Sequence, residues 1–307
     1  MPEKPMSSNE HRTDPVFLLS PGRSGSTLLQ RYLNCSKDLI IWGEHGGFIR
    51  GFRNTYSMWC DNQALQYLLK QGKPQSDLLI SSRVPVGVDI EWTNNFSRDH
   101  FREQLARVVT ELFTIDVPPS VRWGFKEIRY DDKEVTFLRE LFPSAQFIFI
   151  VRDPIDTLAS AIVAFAKGQA LWEAEGRSDE AMHTIKEQIQ SWSGKIAPIA
   201  RGISLCMEKR EGYLIRYEDL KDRPMDVVTS VCRYLNISVP AGEEIRMIAG
   251  DVRHGMNTTR VHQRLMEEFV QEPGVQDMLS VYKSLGYDRS TVDGQPLWKK
   301  LFRPSAR

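Results

Sequence analysis

Apolar residues in this chain alternate between short unbroken runs and helical spacing. The runs Val16–Leu19, Leu39–Trp42, Val121–Phe125, Phe147–Val151 and Gly212–Arg216 have strand length. Helical patterns follow several of them, over Thr27–Asn34, Asp132–Leu141, Pro154–Ala166 and Pro224–Leu235. The runs around residues 17 and 149 contain no polar positions, as expected of strands covered on both faces. This alternation predicts an α/β fold, a mostly parallel P-loop-like sheet flanked by helices.

Residues 50–115 break the alternation. They are rich in Trp, Tyr and Phe, are interrupted at Gly72-Lys73-Pro74, and end in a helical pattern over Arg98–Phe113. We read them as a helical insertion forming a cap. Residues 176–211 read as one long helix with a break at Pro198. Residues 1–12 are polar and expected to be disordered. Residues 13–307 then form a single domain that ends in a helical segment over 240–307.

Composition narrows the partners. Lys plus Arg number 40 and Asp plus Glu number 40, so no net field steers the chain toward nucleic acid or a membrane. Any affinity for anions must be local. The four cysteines, Cys35, Cys60, Cys206 and Cys232, are scattered and lack the spacing of a metal site. No apolar run has membrane-spanning length and no signal segment is evident, which leads us to expect a soluble, cytoplasmic protein.

The chemistry lies in two strand-to-helix turns. The first strand breaks into Ser20-Pro21-Gly22-Arg23-Ser24-Gly25-Ser26-Thr27 and the fourth into Arg152-Asp153-Pro154. A turn that opens a helix presents unpaired N–H groups and the positive dipole end to an anion. Two such turns, each with an arginine, suit a ligand phosphorylated at two separated points. Neither fits a magnesium-dependent phosphotransferase well. Ser26 stands where the lysine of G-x-x-x-x-G-K-[ST] would be, and Arg152 replaces the acidic metal ligand at the strand end. A kinase, or a non-catalytic nucleotide binder, is the competing class.

The segment Pro21-Gly22-Arg23-Ser24-Gly25-Ser26-Thr27-Leu28-Leu29, with Val151-Arg152-Asp153-Pro154 and Ser160 following, resembles the sulfotransferase superfamily that uses 3′-phosphoadenosine 5′-phosphosulfate (PAPS). The Arg-Ser-Gly-Ser-Thr form is similar to the tyrosylprotein and carbohydrate branch. Trp42-Gly43-Glu44, Trp123-Gly124-Phe125-Lys126-Glu127 and Arg216-Tyr217-Glu218-Asp219-Leu220 extend the likeness over about residues 15–235. The resemblance implies that Arg23, Ser24, Gly25, Ser26 and Thr27 hold the 5′-phosphosulfate, and that Arg152 and Ser160 hold the 3′-phosphate. It implies no metal, and an acceptor that is a small molecule or saccharide bearing a hydroxyl or amine.

By the same resemblance Glu44 takes the acceptor's proton; its neighbour His45, closer to neutrality in intrinsic pKa, is the rival base. Burial is expected to raise the pKa of Glu44 toward the working pH. Lys126 is placed to stabilise the leaving oxygen, unless it pairs with Glu127. Ser160 either meets the ligand or bonds its own helix backbone. Trp42, Phe48, Phe52, Tyr56, Trp59 and Trp92 either line an acceptor cleft or belong to the core. Arg253–Asn257 or Arg260–Arg264 would close over the adenosine. The acceptor and the oligomeric state stay open.

Overall fold

Alternate residues of the two central strands pack into different clusters, which fixes the architecture. The structure, a computed structural model, describes residues 14–62, 97–165, 178–250 and 258–287. Residues 1–12, Trp92 and Arg253–Asn257 lie outside them. Five parallel strands, β1 (Val16–Leu19), β2 (Leu39–Trp42), β3 (Arg122–Glu127), β4 (Gln146–Val151) and β5 (Tyr213–Arg216), lie in the order β2-β3-β1-β4-β5.

On one face Phe17, Leu19, Phe125, Phe147, Phe149 and Val151 join a large, aromatic-rich cluster. It is covered by α2 (Ile49–Cys60), α3 (Arg98–Phe113), α4 (Asp132–Leu141), α5 (Pro154–Phe165), α6 (Asp179–Glu208), α10 (Thr259–Glu268) and α11 (Pro273–Ser284). On the other face Val16, Leu18, Ile41, Ile148 and Ile150 pack under α1 (Ser26–Leu33), α7 (Tyr217–Asp222), α8 (Pro224–Leu235) and α9 (Gly242–Gly250). Burial of β1 and β4 on both faces explains their lack of polar positions.

Two boundaries depart from the sequence reading. β3 runs on through Lys126 and Glu127, so its last two residues are charged yet buried, at 4% and 0% exposure. α6 does not break at Pro198 but continues through it. A proline ring crowds the carbonyl four residues back, here that of Gly194, where no side chain adds to the crowding. α11 and α4 pack along this helix and hold it in place. Of the 50–115 insertion, α2 and α3 are described; they pack against each other and α4.

Candidate active site

The first turn is built by backbone geometry. Arg23 (φ 68°) and Gly25 (φ 87°) are both left-handed, flanking Ser24, whose hydroxyl donates to the Pro21 carbonyl at 2.6 Å. Such a turn aims successive N–H groups to one side; at the start of α1 the Leu28 N–H already donates to the Gly25 carbonyl, which leaves the Ser26 and Thr27 N–H groups without intrahelical acceptors. A Cβ on Gly25 would lie 2.2 Å from the Tyr217 ring, so both the backbone angle and the space require glycine. Gly25→Ala is therefore expected to lower stability by at least about 1–2 kcal/mol from the backbone term alone, measured by thermal unfolding, and to abolish ligand binding at the loop.

The second turn meets the first. Arg23 Nε donates to Ser160 Oγ at 3.2 Å, which brings residue 160 to the loop rather than to its own helix backbone. Desolvation, then the charge of Arg152, push the Arg23 guanidinium below the ordinary arginine value. Two cations thus face a shared space. Arg152 lies over the Tyr217 ring at 4.9 Å, its Nη2 is 3.5 Å from Asp156, and its Nε is buried with no hydrogen-bond partner among the described residues. A buried donor without an acceptor is costly unless a ligand supplies one. Asp153 caps α5, accepting from Ile155 and Asp156 N–H groups, and its own N–H donates to Glu218.

On the other flank, beyond β1, Lys126 Nζ bridges Thr27 Oγ1 at 3.1 Å and Glu44 Oε1 at 2.7 Å. Side chains alternate along a strand, so Lys126 and its neighbour Glu127 point to opposite faces and do not pair. Glu127 instead accepts from Arg129, at 2.6 Å, and from the Gly47 N–H, while Arg129 also reaches Glu44 Oε2 at 3.2 Å. The expected rise in the Glu44 pKa is corrected by these contacts. Burial pushes it up, but the Lys126 and Arg129 hydrogen bonds and charges outweigh that and hold it below the usual glutamate value. His45 touches this cluster at one point, its Nδ1 lying 3.6 Å from Glu127 Oε2. It sits among Phe48, Phe113, Phe125 and Tyr130, 10% exposed, where burial lowers its pKa against the opposing charge of Glu127.

Three further groups were not legible beforehand. Arg129 ties the two glutamates together. His262 of α10 contacts Asp156 at 2.6 Å, so this C-terminal helix, which carries Arg260–Arg264, reaches the second turn through a histidine. Burial would raise the Asp156 pKa, but the His262 bond and the Arg152 charge lower it. Tyr287 donates to Glu218 at 2.5 Å, and its hydroxyl lies 3.3 Å from the Val151 carbonyl, anchoring the chain after α11 beneath the same turn.

The expected cleft aromatics divide. Tyr56 is buried, Phe52 packs on the core, and Trp59 sits edge-on to Phe101. Trp42 and Phe48 are more than one-third exposed, and Trp42 lines a cavity of about 550 Å³ with Glu44 and His45. A second cavity, about 520 Å³, opens between the first turn and α6.

The profile of the Sulfotransferase family matches residues 15–241, and the chain is a member of that family. Solved structures similar to it include the sulfotransferase domain of the curacin biosynthetic pathway, at 17% identity, TM-score 0.49, covering 90% of this chain and 98% of that one. The sulfotransferase domain of the Synechococcus PCC 7002 olefin synthase aligns at 16% identity, TM-score 0.48, covering 90% and 96%. A mouse sulfotransferase complexed with PAP aligns at 16% identity, TM-score 0.41, covering 78% and 64%. No curated protein matches at a significant level. Among the described residues no helix is long and apolar enough to cross a membrane.

Proposed function

We propose that the enzyme transfers the sulfuryl group of PAPS directly to a hydroxyl, or an amine, on a small molecule or saccharide. The observation that carries this reading is the Arg23–Ser160 contact at 3.2 Å, which joins two anion-binding turns beside a buried Arg152 Nε with no partner among the described residues. A 3′-phosphate and a 5′-phosphosulfate on one nucleoside are the charges such a pair would take. Arg152 and Ser160 bind the 3′-phosphate, and the Ser24–Thr27 backbone with the Ser26 and Thr27 hydroxyls and Arg23 binds the 5′ group.

In the transfer the acceptor oxygen forms a bond to sulfur while the sulfur–bridging-oxygen bond breaks, and PAP leaves with that electron pair. Charge grows on the bridging oxygen, so Lys126, already at the loop through Thr27, stabilises the transition state more than the ground state. The acceptor's proton goes to Glu44. The cations that depress the Glu44 pKa keep it ionised, and it gains basic character only as the attacking hydroxyl turns acidic.

That assignment has a pH signature. Glu44 works deprotonated and its pKa lies below the ordinary glutamate value, so activity is expected intact down through the usual glutamate range and lost only as pH falls below it. The pH profile of kcat checks it, with folding followed in parallel by circular dichroism. An acid limb near neutrality that disappears in His45→Gln would transfer the role to His45. Direct assay of sulfuryl transfer from labelled PAPS to a panel of alcohols, saccharides and amines tests the reaction itself; product formation from no member would count against it.

A further inference from the structure

The cavity of about 520 Å³ lies between the first turn and the middle of α6. Its lining combines the apolar Ile128, Ile196 and Ile199 with four cations, Arg23, Arg50, Arg129 and Lys195. The acidic side chain of the lining, Asp131, is already committed, since its carboxylate accepts from Lys133 N–H as the cap of α4. Arg50 and Arg129 are held in place from behind by Glu134 and Glu127, both fully buried. Lys195 has no carboxylate partner among the described residues; its ammonium rests over the Trp192 ring at 4.3 Å.

Two contacts connect this cavity to the reaction. Arg23 lines it and belongs to the turn assigned to the donor, and Arg129 lines it and touches Glu44 Oε2 at 3.2 Å. A molecule seated there therefore lies against the donor loop through Arg23 and against the partner of the base through Arg129. The cavity beside Trp42 touches Glu44 but no residue of the first turn, so it meets only half of that requirement.

Resting on the sulfotransfer reading, we infer that the acceptor binds in the cavity between the first turn and α6, and that it is an amphiphile: an apolar body bearing the reacting hydroxyl and a separate anionic group held by Lys195. The apolar body covers the isoleucines, where burial favours binding in proportion to the apolar area removed from water. The anion meets a lysine whose alternative partner is an aromatic face rather than a carboxylate, so binding breaks no ion pair. Specificity then comes from the charge of Lys195 and from reach past Arg129 to Glu44.

The test compares a hydroxy acid with its neutral methyl ester, using ω-hydroxydecanoate and p-hydroxyphenylpropionate as probes. Binding to the PAP-loaded protein is followed by calorimetry, which needs no turnover. Each acid is expected to bind at least about tenfold tighter than its ester. Lys195→Ala should remove that advantage without changing PAP affinity, and Lys195→Arg should keep most of it. Equal binding of acid and ester, binding of neither, or an advantage that survives Lys195→Ala would overturn the inference. Failure of the wild-type protein to bind PAP at all would instead strike the donor reading beneath it, so the two failures are distinguishable.

Discussion

Glu44→Gln is expected to lower kcat about a hundredfold or more while PAP affinity stays within a few-fold of wild type. The amide keeps the shape of the carboxylate but cannot take a proton, so the loss should appear in turnover rather than in binding. Lys126→Ala should lower turnover comparably, because it removes a cation held between the loop and the base, at 3.1 Å from Thr27 and 2.7 Å from Glu44. The two residues touch, so the double variant is expected to lose less than the product of the single losses. Single-turnover transfer from labelled PAPS, with PAP binding measured alongside, reads all three. Undiminished transfer in both single variants would remove the catalytic assignment.

Arg152→Ala is expected to weaken PAP binding at least about tenfold, since a charge-assisted hydrogen bond contributes about 1.5–3 kcal/mol. The effect should be specific to the 3′-phosphate: the already weaker binding of ADP should hardly change. Lysine would not restore it, because Arg152 combines its place over the Tyr217 ring with a fork of donors. Calorimetry of both ligands with the alanine and lysine variants measures this. Equal losses for PAP and ADP would place Arg152 in the structural support of the turn instead.

The strands and the two strand-to-helix turns were legible because each is written in contiguous residues. An unbroken apolar run needs no partner to be read as a doubly covered strand, and Gly22 to Thr27 or Arg152 to Ser160 are single local segments. The contacts between distant segments were not legible. Glu44 meets Lys126 across 82 residues of chain, and His262 meets Asp156 across 106, so both pairings are products of packing on either side of the sheet. Strand alternation alone, carried two residues beyond Phe125, would have separated Lys126 from Glu127 and left the lysine seeking another carboxylate. Nothing local could have revealed that His45 turns into an aromatic box, because Phe113, Phe125 and Tyr130 reach it from elsewhere in the chain. The direction of the Glu44 pKa failed for the same reason: burial was foreseeable, and the Lys126 and Arg129 contacts were not.

The measurement that bears most directly on the two-turn donor site is calorimetric titration of the wild-type protein with PAP and with ADP, each with and without magnesium. The account predicts micromolar binding of PAP that is indifferent to magnesium, and binding of ADP weaker by at least about tenfold for want of the 3′-phosphate. Equal affinity for PAP and ADP, or binding that requires magnesium, would contradict it.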